Sequence, residues 1–184
     1  MSSGKVTPKL FVLHLREDNP KRCTAAKLKK FGFVIFVNKR PRNSLVLNPL
    51  TKRILLHEDR EIIEKYGICA IDGSWKNIKE IFARPRRFDR RLPLLVAGNP
   101  INYGKIGKLS TVEALSAALY IVGFRELSIQ LLSKFKWGHT FLELNKELLE
   151  DYANSNHEEI LKIEKEIFGR YGTGVESKPP SVSE

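Results

Sequence analysis

Three observations predict an α/β N-terminal domain with a mostly parallel sheet, followed by an all-α C-terminal domain. Short apolar runs alternate with helical periodicities through the first half of the chain. Every periodic segment after Ser110 is helical. Between the halves, residues 92–124, LPLLVAGNPINYGKIGKLSTVEALSAALYIVGF, read as strand, irregular loop and capped helix. Alternation of strands with helices argues for parallel pairing, because parallel neighbours need a crossover long enough to hold a helix. The boundary is set at 92/93, giving an α/β domain 1–92 and a helical domain 93–172. The tail 173–184, TGVESKPPSVSE, carries helix breakers and no core residues, and is expected to be disordered.

The elements follow in order. KLFVLHL (9–15) reads as a strand, and Cys23 to Phe31 as a short basic helix stopped by Gly32. FVIFV (33–37) and SLVLNP (44–49) are two further strands joined by a basic connection. ILLH (54–57) is a short strand or the lead into a helix, and Glu58 to Tyr66 has helical spacing ended by Gly67. ICAID (68–72) is a buried strand. Ser74 caps a helix that places Trp75, Ile78, Ile81 and Phe82 at helical spacing. Leu94 to Ala97, bounded by Pro93 and Gly98, suits another buried strand (93–98), and Ser110-x-x-Glu113 is a capping box for a helix running to Gly123. Arg125 to Trp137 is amphipathic, with Leu127, Leu131, Leu132 and Phe135 inward. Thr140-x-x-Glu143 and Ser155-x-x-Glu158 are read as two more capping boxes.

With 32 Lys plus Arg against 21 Asp plus Glu, the 184-residue chain carries +11, so a polyanionic partner is indicated. Nucleic acid is favoured over membrane. No stretch approaches the roughly 20 consecutive apolar residues of a span, and MSSGKVTPK lacks the apolar core of a secretory leader. An intracellular, cytoplasmic protein is expected. The two cysteines, Cys23 and Cys69, are expected to be reduced and packed, and His14, His57, His139 and His157 show no metal-ligand spacing, so no metal is expected.

The strongest charge feature is FARPRRFDRRLP (82–93), with Arg84, Arg86, Arg87, Arg90 and Arg91 among Phe82 and Phe88. Guanidinium forks match phosphate oxygens and stack on bases, so the cluster suits RNA. Lys27 and Lys30, together with Arg40 and Arg42, are weaker groups that extend the same expectation. Asp72-Gly73-Ser74-Trp75 brings an acid, a bend, a cap and an aromatic to a strand-to-helix junction. GNPINYGK is neither a Walker loop nor G-x-G-x-x-G.

Four blocks carry a family resemblance: CTAAKLKKFG (23–32), IDGSW (71–75), RRFDRR and the 92–124 stretch. They resemble the small-subunit rRNA aminocarboxypropyltransferases, S-adenosylmethionine (SAM)-dependent enzymes with a SPOUT-like fold, over about residues 9–150. The resemblance implies a deep trefoil knot around SAM. It places adenine among Leu47, Pro49 and Trp75, with main-chain contacts at Leu92 and Gly107 and a backbone contact from Ile71 to the ribose. Thr24 and Thr111 would hold the polar end of the methionine moiety, and Trp75 would wall the methyl pocket. The implied reaction transfers the 3-amino-3-carboxypropyl group to N3 of a pseudouridine, N1-methylated or not, in small-subunit rRNA. Asp72 is placed as a general base, as electrostatic support for the sulfonium, or as a structural cap. Two positions depart from the family pattern: Gly73, where cysteine is usual, and Gly107, where tyrosine is common. The competing readings are a SPOUT-type RNA methyltransferase and a non-catalytic RNA-binding assembly factor. A monomer is expected.

Overall fold

A computed structural model describes residues 6–15, 23–73 and 75–171, except for the side chains of 75–78 and 171. The expected Ser74 cap and the tail from 173 lie outside the described residues. In chain order the elements are β1 (Leu10–His14), α1 (Thr24–Lys30), β2 (Ile35–Val37), β3 (Leu45–Leu47), a 3₁₀ turn (His57–Asp59), α2 (Arg60–Tyr66) and β4 (Ile68–Asp72). They continue with α3 (Trp75–Phe82), β5 (Asp89–Arg90), α4 (Thr111–Ile121), α5 (Arg125–Ser133), α6 (Gly138–Asn154) and α7 (His157–Tyr171).

The five strands form one all-parallel sheet in the order β2-β1-β4-β3-β5. Side chains alternate across it. Leu10, Val12, Leu45, Leu47, Ile68 and Ala70 enter the larger core, which also takes residues from α1, α2 and α4–α7. Leu13, Val46 and Cys69 face the other way, against Phe82 at the end of α3. Both faces are covered, which is why the strands read as nearly continuous apolar runs.

This architecture corrects the expectation of a SPOUT-like deep trefoil knot joined to an all-α C-terminal domain. The described residues form an α/β fold, an all-parallel five-stranded sheet with seven α-helices. Phe124, Leu131, Phe141, Leu149, Tyr152, Ile160 and Ile167 pack into the same core as the strands, not into a separate helical one.

Residues 93–98 do not join the sheet. On one side their backbone partners are helical side chains. The Asn145 side chain in α6 accepts the Val96 N–H (2.8 Å) and donates to the Val96 carbonyl (2.8 Å). Tyr152 donates to the Leu94 carbonyl (2.8 Å), and Glu164 of α7 accepts the Leu94 N–H (3.0 Å). On its other side the segment makes an isolated antiparallel bridge, Val96 to Ile106. The edge strand is instead β5, inside the arginine-rich stretch, where Asp89 is fully buried. Its carboxylate accepts from Asn48 Nδ2 (2.9 Å) and Arg40 Nη1 (3.2 Å).

Two helix starts also shift. Helix α6 begins before Thr140, after Trp137 and without a side-chain cap. Helix α7 is capped by Asn156, one residue past Ser155: Asn156 Oδ1 accepts from the Glu158 and Glu159 N–H groups (3.0 Å each), and Glu159 accepts the Asn156 N–H (2.8 Å). The Ser110 box is as expected, with Ser110 Oγ accepting the Glu113 N–H. Helix α4 ends in a Schellman motif: Phe124 N–H donates to the Leu119 carbonyl and Gly123 N–H to that of Tyr120. The motif needs a left-handed residue, supplied by Gly123 at φ 90°. Arg60 and His57 reach the last carbonyls, of Val122 (3.0 Å) and Ile121 (3.0 Å), and so tie the first half of the chain to α4. No helix among the described residues is long and apolar enough to cross a membrane.

Candidate active site

The central strands β1 and β4 end together, with His14 paired to Asp72. From β1 the chain continues to β2 on one side, while β4 and β3 lie on the other. Such a switch point leaves a crevice beyond the carboxyl ends of the strands, where open α/β sheets bind ligands. A cavity of about 460 Å³ lies there, within the range of roughly 300–1,000 Å³ typical of small-molecule sites.

Seven of the eight residues expected to bind the cofactor line this cavity: Thr24, Leu47, Pro49, Ile71, Leu92, Gly107 and Thr111. Asp72 lines it too, as the one carboxylate among the described lining residues. They come from α1, β3 and the turn after it, β4, the segment after β5, the 99–110 loop and the start of α4. Trp75 opens α3 three residues after Asp72; its side chain is outside the described set. Gly107 adopts φ 73°, and a Cβ there would meet nothing within 4 Å. A first side-chain carbon therefore has room there, but the left-handed backbone favours glycine.

Asp72 is held from three sides. His14 Nδ1 lies 2.9 Å from Oδ2, the Cys23 thiol donates to Oδ2 (3.1 Å), and Thr111 Oγ1 donates to Oδ1 (3.3 Å). The His14 ring in turn stacks on Phe36, with centroids 4.6 Å apart. Cys23 also caps α1, its sulfur accepting the Ala26 N–H (3.4 Å). Burial, reinforced by the neighbouring Asp72, pushes its thiol up from 9.0 to about 11, so it is a protonated donor at neutral pH. Thr24 Oγ1 accepts the Val112 N–H (3.2 Å), which leaves its own O–H as a donor. His14, Cys23 and Asp72 also place three potential ligand atoms within 4.8 Å of one another. Sequence spacing gave no sign of this group, since strand register brings only His14 and Asp72 together and Cys23 comes from the cap of α1.

The loop over the cavity is fixed by Glu113, which is fully buried. One carboxylate oxygen accepts the Gly98 and Asn99 N–H groups (2.7 and 3.0 Å). The other accepts Asn99 Nδ2 (2.7 Å), Ser110 N–H (2.7 Å) and Ser110 Oγ (2.8 Å). Five donors compensate the burial of the charge.

The basic residues divide into two groups. Arg90 pairs with Asp59 (Nη2 to Oδ1, 3.0 Å), Arg91 makes a two-pronged contact with Glu164 (2.7 and 2.8 Å), and Arg40 pairs with Asp89. Arg84, Arg86, Arg87, Arg42, Lys27 and Lys30 are exposed. The carbonyls of Arg86 and Arg87 accept from Arg53 Nη1 (3.3 and 2.7 Å), which fixes the backbone that carries these two exposed residues.

An all-parallel sheet with a partly polar cavity at its strand ends, walled by the fixed Asp72 carboxylate, defines the class: an α/β protein that binds a small ligand in the crevice of its sheet. Comparison with known proteins narrows this. A family model described as "Ribosome biogenesis protein, C-terminal" matches residues 45–168. The chain is 47% identical over 161 residues to a 16S rRNA aminocarboxypropyltransferase of Thermoplasma volcanium, covering 87% of this chain and 98% of that protein. It is likewise 47% identical over 166 residues to that of Methanocaldococcus jannaschii, covering 88% and 96%. The solved structure of the SAM-dependent rRNA:acp-transferase Tsr3 from Vulcanisaeta distributa superposes with a TM-score of 0.81 at 40% identity, covering 88% of this chain and 89% of that one. The chain belongs to the 16S rRNA aminocarboxypropyltransferase family.

A second family model, described as a possible Fer4-like domain in RNase L inhibitor, RLI, matches residues 8–42. Ferredoxin-type clusters are held by four thiolates. That range contains Cys23 alone, so its residues do not fit such a cluster.

Proposed function

We propose that the cavity binds SAM and that the protein transfers the 3-amino-3-carboxypropyl group to N3 of a pseudouridine in small-subunit rRNA, as a cytoplasmic step of ribosome biogenesis. The observation that carries this reading is the convergence of seven residues from distant parts of the chain on one cavity with the Asp72 carboxylate. Leu47, Pro49 and Leu92 give an apolar slot suited to a planar base. Thr24, Thr111 and Asp72 suit the charged amino-acid end and the sulfonium.

When bound, SAM supplies an electrophilic carbon: the N3–C bond forms as the C–S bond breaks, methylthioadenosine leaves with that electron pair, and the N3 proton passes to water. The protein's part is orientation. A sulfonium offers three electrophilic carbons, and whichever one the walls turn toward the RNA decides the product. Asp72 has its oxygens taken up by three donors, which makes it a positioned anion facing the positive charge, the electrostatic role among those considered for it. Arg84, Arg86, Arg87, Arg42, Lys27 and Lys30 contact phosphates; Arg40, Arg90 and Arg91 hold the surface beneath them in shape.

The test is to incubate protein, small-subunit rRNA and SAM labelled in the carboxyl carbon or in the methyl group. Label in the RNA from the carboxyl carbon only is expected. Methyl label in the RNA would make the protein a methyltransferase, and no SAM binding by calorimetry would leave an RNA-binding assembly factor.

A further inference from the structure

A second cavity, of about 890 Å³, opens beside the first and shares Cys23, Thr24, Asn99, Ile101 and Ser110 with its wall. Its other lip is the end of α1, with Lys27, Lys30 and Phe31, and its floor is Phe135 and Trp137, whose rings lie 5.4 Å apart. Lys27 Nζ sits 4.8 Å above the Phe135 ring. None of the described residues lining this cavity is acidic. At its mouth Phe31 is 49% and Ile101 66% exposed, large apolar groups that the fold itself does not bury.

Aromatic and aliphatic faces bordered by ammonium groups suit one ligand chemistry in particular: a nucleobase with its flanking phosphates. A base inside a duplex cannot enter such a crease, because its faces are already stacked. The shared wall matters most, since a nucleoside seated in the second cavity lies directly against the first.

We infer that the second cavity is the acceptor subsite: it takes an unpaired nucleotide turned out of its RNA strand, with the base between Phe31 and Ile101 and the neighbouring phosphates on Lys27 and Lys30. The inference rests on the reading of the first cavity as the SAM site. It adds that the protein selects its target by the extruded state of the nucleotide.

The test uses the intact protein and two fluorescent probes, a single-stranded uridine-containing oligoribonucleotide and the same strand annealed to its complement. The single strand is expected to bind at least tenfold more tightly than the duplex. Phe31→Ala is expected to weaken single-strand binding about tenfold, the scale of one lost base–aromatic stack, and Ile101→Ala to weaken it by less. For Phe31→Ala, SAM affinity and melting temperature should stay unchanged, since Phe31 is about half-exposed and lines only the second cavity. Duplex bound as tightly as single strand, or both variants binding RNA like the unaltered protein, would overturn the subsite. The binding measurements need no turnover, so failure of the protein to transfer label from SAM would count against the enzymatic reading on its own.

Discussion

Asp72 keeps its place because three elements donate to it: His14 from β1, Cys23 from the cap of α1 and Thr111 from the start of α4. The sequence marks Asp72 as a junction residue. It gives no hint of His14 and Cys23, because their proximity depends on which strands are neighbours. The thiols have a measurable consequence. Burial raises Cys23 to about 11 and Cys69 to about 12, both from 9.0. In the unfolded chain each thiol ionises near its ordinary value, so the unfolded state loses protons first as pH rises. Stability from these thiols is therefore complete below about pH 9 and lost between there and about pH 11–12. For a fully shielded thiol the slope is about 1.4 kcal/mol per pH unit. Urea denaturation from pH 8 to 11 should show a flatter decline for Cys69→Ala than for the unaltered protein. Parallel declines would remove the thiol from the explanation.

At the scale of elements, α4 shows best what can be read from sequence. Its start is written in Ser110-x-x-Glu113 and its end in Gly123, and both stand. That Glu113 also binds Gly98 and Asn99 was hidden, because those residues lie on a loop that only the fold brings back. Glu113→Ala should cost about 3 kcal/mol, the scale of uncovering several buried donors that had a charged acceptor. Glu113→Gln should cost less, and both should weaken SAM binding by loosening the loop over the cavity; denaturant melts and calorimetry would measure the two effects. The 93–98 segment shows the opposite case. An apolar run flanked by proline and glycine looks like a strand, yet on one side Asn145, Tyr152 and Glu164 satisfy its backbone in place of a neighbouring strand, and on the other it bonds only to the loop residues 104–107. Nothing local marks that substitution. Edge strand β5 was missed for the converse reason, since Asp89-Arg90 has no apolar pattern to see.

Across the whole molecule, net charge pointed to a polyanion, but five clustered arginines looked alike in sequence and the fold separates them. Arg90 and Arg91 hold elements together, whereas Arg84, Arg86 and Arg87 are exposed. Replacing Arg84, Arg86 and Arg87 with Ala should weaken RNA binding and lower the magnitude of its salt slope by about 2, at roughly 0.7 per phosphate contact on single strands. SAM affinity should not change. Arg91→Ala should instead lower the melting temperature and SAM affinity, because Arg91 lines the cavity and grips Glu164. A salt slope unaltered in the triple variant would take this stretch out of the RNA contact. Overall topology was the least legible feature. Local pattern fixes the elements, but not which core the later helices share.

The hold of Glu164 on Leu94 and Arg91 bears on how the protein is made. During synthesis the sheet strands and α4 emerge well before residue 164. The floor of the cavity, Arg91 to Leu94, then waits for a carboxylate 70 positions downstream of Leu94. A nascent chain can assemble its sheet early, yet it closes the floor of its ligand site only after α7 has left the ribosome and docked.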